Sequence, residues 1–366
     1  MESRFLRNVL IKALMLFLAL NLALAAAYPL EWLGSLSLYN RLFTGRERFP
    51  FGENPRETYS FSLFNLEAML YSLRLHGQPK GADEFRVLVL GDSSIWGTLL
   101  QPEETLAGQL NRLNLTHCDG RRVRAYNLGY PTLSLVKDVM ILDAAMRYQP
   151  DWIVWGVTLQ SFPLDRQVVS PIVANNPARV GALAQKYGLG IAAGLPLPDF
   201  WQRTLLGQRR ALADWLRLQL YGFLWSATGI DQAYPTDYQP AVRDLENDPA
   251  FNGWQGPDFP PDSLAWEALD AGIQAAGATP LLLVNEPVMI SSGLNSHVRY
   301  NYYYPRWAYD SYRQRLAHLS GANGWAYLDL WDMAGEDEFT NSAIHLKPAA
   351  VKRMAQAVAA QLCVQP

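Results

Sequence analysis

Cysteine is nearly missing from this 366-residue chain, with only Cys118 and Cys363 present. That excludes a disulfide-dense scaffold, and no Cys/His group stands at metal-ligand spacing, so no metal is expected. Also missing are the glycine-rich phosphate cradle of a P-loop and the glycine spacing that lets a pyrophosphate approach a helix. A dinucleotide- or flavin-binding role is therefore weakly supported, and no cofactor is expected. The net charge is −3 with no long single-sign run, which removes the electrostatic footprint of a nucleic-acid partner. What is present is a globular composition, 49% hydrophobic, long enough for one large domain and an appendage.

The two cysteines have two readings. Outside the cytoplasm they could form one disulfide tying the first βα segment to the last helix; as buried thiols they are explained equally well, and spacing does not choose.

The amino terminus lacks acidic residues over its apolar run. Arg4, Arg7 and Lys12 precede or open a leucine- and alanine-rich stretch to Ala27, and Val9 to Ala27 approaches the roughly 20 residues that cross a bilayer core. Basic flanks stay cytoplasmic, so the rest of the chain is expected outside. An uncleaved anchor is favoured because Tyr28, Trp32 and Tyr39 follow like interfacial aromatics; the alternative is a signal segment cut at Ala25-Ala26-Ala27.

Beyond residues 1–28, residues 29–83 read as a stalk and packing arm, broken by Gly45, Pro50, Gly52 and Pro55. From residue 84 to 366 strands and helices alternate, which predicts an α/β domain with a parallel sheet covered on both faces. Expected strands are 86–90, 123–127, 152–157, 280–285 and 325–330. Ser134 is expected to cap one helix, Asp262 to open another that stops near Gly277, and a last helix to begin at Pro348. A mostly helical insertion at about 161–260 interrupts the pattern. It covers the sheet, shapes a substrate site, or rests on a membrane surface through interleaved basic residues and tryptophans.

Gly91-Asp92-Ser93-Ser94 directly follows the apolar run Arg86 to Leu90, so Ser93 leaves a buried strand on a tight turn at the edge where α/β sheets bind ligands. A serine hydroxyl needs a base. Of five histidines, His345 follows the last strand and precedes the last helix, at the same sheet edge as Ser93. Gly129, in Asn127-Leu128-Gly129 after the second strand, can bring a backbone N–H to an oxyanion.

These blocks, with Gly156-Val157-Thr158 at the third strand end and His345-Leu346 before the final helix, resemble the SGNH/GDSL hydrolases in order and spacing over residues 84–160 and 278–362. The resemblance implies a flavodoxin-like three-layer α/β/α sandwich with about five strands, Ser93 as nucleophile, His345 as base, and the Ser93 and Gly129 amides as oxyanion donors. Two positions depart from the family pattern. Thr158 stands where an asparagine donor is usual, with Gln160 or Asn285 as substitutes. Ser342 stands where an orienting aspartate is usual, with Asn341, Asp337, Asp332 or Glu286 as candidate orienters. Asp92, Asn285 and Glu286 are further candidates for substrate binding, and the aromatic tract Arg299 to Trp307 for sugar stacking.

The expected activity is that of an extracytoplasmic, membrane-tethered serine esterase or O-acyltransferase, with an ester- or acyl-bearing substrate such as an envelope polysaccharide or lipid. The tethered architecture is loosely similar to the DltD and alginate-acetylation families. The alternative is a catalytically inactive envelope assembly or glycan-binding protein that kept the fold.

Overall fold

The structure is a computed structural model and describes residues 2–27, 30–36, 45–51, 65–190, 197–232 and 237–364. Five strands form one parallel sheet: β1 (Glu84–Leu90), β2 (Arg122–Asn127), β3 (Trp152–Val157), β4 (Leu281–Asn285) and β5 (Ala326–Asp329). Their order is β2-β1-β3-β4-β5, the flavodoxin-like doubly wound order. Every pairing is parallel, with Leu88 opposite Tyr126 on one side and Ile153 on the other.

The helices used below are α1 (Glu2–Ala27), α2 (Leu66–Ser72), α3 (Ser93–Trp96), α4 (Leu106–Arg112), α5 (Leu135–Ala145), α6 (Pro177–Tyr187), α7 (Phe200–Arg203), α8 (Arg209–Ser226), α9 (Trp266–Ala276), α10 (Arg306–Asn323) and α11 (Pro348–Ala359). Strand side chains alternate between faces. Leu88, Leu90, Ile153 and Leu283 pack with α5, α9 and α10, whereas Val87, Val89, Val154 and Leu282 pack with α4 and α11. Buried on both faces, β3 and the Val87–Leu90 part of β1 are apolar throughout, which is why they read as unbroken hydrophobic runs. Phe49 and α2 join the first of these cores.

The expected strands all form, with ends differing by at most two residues. Ser134 does cap α5, its Oγ accepting from Lys137 N at 3.1 Å. Asp262 does not open a helix. It sits at φ +52 in a turn closed by Ser263 N on Pro260 O, and α9 starts four residues later.

At the amino terminus α1 is long and apolar enough to cross a membrane, and most of its side chains face away from the rest of the protein. Trp32 is exposed; Tyr28 and Tyr39 lie outside the described residues. Cys118 and Cys363 are disulfide-bonded, Cα to Cα 5.4 Å apart, which decides between the two readings of the cysteines. The bond ties the segment between α4 and β2 to the chain just beyond α11.

Candidate active site

Ser93 is the first residue of α3, immediately beyond the carboxyl end of β1. Asp92 is the N-cap: its Oδ1 accepts from Ser94 N at 2.8 Å, so the turn that exposes Ser93 is closed by its own sequence neighbour. The β1/β3 boundary beside it is where strand order reverses, the crevice in which doubly wound sheets bind ligands.

His345 approaches from the loop between β5 and α11. Its Nε2 lies 2.9 Å from Ser93 Oγ, and its Nδ1 lies 2.8 Å from Asn341 Oδ1. An amide oxygen facing Nδ1 demands a proton there, which leaves Nε2 with a lone pair toward the serine hydroxyl. Desolvation pushes the His345 pKa down to about 4, so the ring is a neutral base at ordinary pH.

Of the candidate orienters, Asn341 is the one on the imidazole. Ser342 Oγ instead accepts from Tyr302 OH at 3.2 Å, and that phenol also receives Ala343 N at 3.1 Å. Asp337 is exposed and ion-paired with Arg243, and Asp332 is exposed. Glu286 bonds Ser94 Oγ rather than the histidine.

The expected oxyanion donors are unevenly placed. The Ser93 amide opens a helix, and such amides have no intrahelical carbonyl to bond. The Gly129 amide already donates to Asn127 Oδ1 at 2.9 Å. Glycine is required at 129 for a different reason: a Cβ there would meet Trp96 N at 2.4 Å, so the β2 turn is pressed against α3. Thr158 is fully buried and its hydroxyl is paired with Tyr304 OH at 2.8 Å. Asn285 does not substitute for it, because Nδ2 donates to Asp329 Oδ1 at 2.8 Å and Oδ1 accepts from Tyr312 OH at 3.2 Å.

Asp92, Asn285 and Glu286, expected as substrate contacts, are each at most 2% exposed. Burial raises the pKa of Asp92 and, with the nearby Asp92 charge, lifts Glu286 well above the usual carboxylate range. Gly156 makes room for Glu286, since a Cβ at 156 would sit 2.3 Å from Oε1.

Two supporting residues escaped the sequence reading. Lys137 is fully buried and donates to Gly91 O at 2.8 Å and Tyr130 O at 3.1 Å, pinning the Ser93 turn to the β2 turn while pairing with Asp138 at 2.7 Å. Its signal was a lysine amid the apolar run Leu135 to Leu142. Asn127 does the same from β2, its Nδ2 bonding Ile95 O at 2.9 Å. The aromatic tract is mainly structural: Arg299 is buried and donates to the Ala250 and Tyr302 carbonyls at 3.0 Å. His76 and His117 stack on Tyr71 and Phe85. His318 lines a cleft of about 1230 Å³ beside α9 and α10 that touches neither Ser93 nor His345.

No family model matches this sequence, and no curated protein matches it. Among similar solved structures is the lipase/acylhydrolase from Enterococcus faecalis, with 12% identity and a TM-score of 0.40, covering 77% of this chain and 97% of that one. A member of the lipolytic protein G-D-S-L family from Veillonella parvula DSM 2008 gives 9%, 0.36, 75% and 97%, respectively. A carbohydrate acetylesterase from Sinorhizobium meliloti gives 14%, 0.34, 75% and 97%. At this identity the chemistry has to be argued from the chain's own residues.

Proposed function

We propose that this protein is an extracytoplasmic, membrane-tethered serine esterase or O-acyltransferase of the SGNH type, acting on acylated envelope glycans or lipids. The observation that carries the proposal is the 2.9 Å contact between Ser93 Oγ and His345 Nε2, with Asn341 holding the other ring nitrogen. In the reaction, Ser93 Oγ attacks the ester carbonyl and its proton passes to Nε2. Collapse of the tetrahedral adduct breaks the bond to the leaving alcohol, which takes that proton back, and leaves an acyl-serine. Water or an acceptor alcohol then repeats the sequence. The Ser93 amide is the first oxyanion donor; the Gly129 amide contributes once Asn127 Oδ1 yields it. Tethering is supported by α1, and the disulfide suits an oxidising compartment.

The non-catalytic reading is favoured by one specific observation: the Gly129 amide and the Thr158 hydroxyl both have intramolecular partners. Fluorophosphonate labelling of the full-length protein separates the two. The proposal expects covalent modification of wild type and none of Ser93→Ala or His345→Ala. Wild type that stays unmodified while folded supports the non-catalytic reading.

A further inference from the structure

The insertion leaves apolar surface uncovered beside α1. Phe200, Trp201 and Leu206 are 43%, 75% and 56% exposed. Helix α8 exposes Leu216, Leu220 and Leu224, spaced four residues apart along one stripe, while Leu218 and Gln219 on its other side are buried. Water is a poor solvent for such a surface.

Its position says what covers it. α7 packs on α1, and Leu206 N donates to Asn21 Oδ1 at 3.4 Å. Asn21 is six residues before the end of α1, or about 9 Å along the helix axis. If α1 spans a bilayer, the α7–Leu206 turn is already below the level at which α1 emerges. Irregular backbone at that depth has to be satisfied within the protein. It is: Thr204 Oγ1 accepts from Gly207 N at 3.2 Å and donates to Trp201 O at 2.7 Å, and Leu206 O accepts from Arg209 at 2.7 Å. Arg203, Arg209, Arg210 and Arg217 outnumber Asp199 and Asp214 across this stretch, a balance that suits anionic headgroups.

We propose that α7, the turn through Leu206 and the leucine stripe of α8 form a second membrane contact, a wedge seated in the outer headgroup and acyl boundary beside α1, with anionic lipid as its partner. This rests on the reading of α1 as a bilayer span. It gives the protein a fixed orientation over the membrane, which a single spanning helix does not provide.

The test uses nitroxide labels on the full-length chain in phosphatidylcholine/phosphatidylglycerol vesicles, at Trp201→Cys, Leu220→Cys, Leu16→Cys and the exposed control Val242→Cys. The disulfide leaves no native thiol to compete. Labels at 201 and 220 are expected to gain oxygen contact and lose contact with a water-soluble nickel reagent relative to 242, at a depth of about 5–10 Å. If 201 and 220 are as water-accessible as 242 while 16 is in lipid, the wedge is refuted and the tether stands. If 16 is also in water, tether and wedge fall together.

Discussion

With Asn341 behind it in place of a carboxylate, His345 has its tautomer set but receives no negative charge to stabilise the imidazolium. The histidine pKa, pushed down to about 4, lies below its ordinary 6.5. Fluorophosphonate labelling is therefore expected to stay constant as pH falls from 8 to about 5 and then decline; an acid limb near 6.5 would refute this assignment. Folding stability follows the same sign. The neutral ring's contribution is complete above pH 6.5 and is lost as pH falls toward 4, because the unfolded chain takes up the proton first. Asn341→Asp is expected to move the acid limb upward by about one to three units through an opposite charge. Asn341→Ala is expected to slow labelling about tenfold, the loss of one hydrogen bond.

At the scale of elements, the end of β4 is fitted to the start of α3. Glu286 accepts from Ser94, the neighbour of Ser93, and lies on Gly156 of β3. Its pKa is raised by burial and then by Asp92, so the folded state keeps a proton that the unfolded chain releases above about 4.5. Stability is thereby lost as pH rises above the unfolded value, until the folded group ionises. Glu286→Gln removes that loss. Urea midpoints of variant and wild type are expected to diverge between pH 5 and pH 7, in favour of the variant; a constant gap would mean that Glu286 ionises normally. The sequence displayed β1 and β3 most plainly, since strands buried on both faces are largely apolar. It did not display the Glu286–Ser94 contact, because 192 residues separate the partners and only the sheet order joins them.

At the scale of the molecule, one disulfide closes most of the α/β portion of the chain, with a sequence separation of 245 residues. Cross-linking so long a loop restricts the unfolded chain by about 5 kcal/mol in the chain-entropy treatment. Cys363→Ser is expected to lose a large part of that in urea unfolding while keeping fluorophosphonate reactivity, since Cys363 lies outside the Ser93 site. A variant as stable as wild type would refute the contribution.

The sequence by itself determined the parallel sheet, the turn that presents Ser93 and the loop that carries His345. Each is encoded by local hydrophobic patterning and turn chemistry within a short stretch of chain. Tertiary structure decided which partner each side chain meets. It placed Asn341 rather than Ser342 or Asp337 on the imidazole, engaged the Gly129 amide with Asn127, and buried Asp92, Asn285 and Glu286. Several residues near His345 could each have supplied an oxygen. Only the loop geometry, fixed in part by Tyr302 on Ser342 and Ala343, selects which oxygen faces the ring.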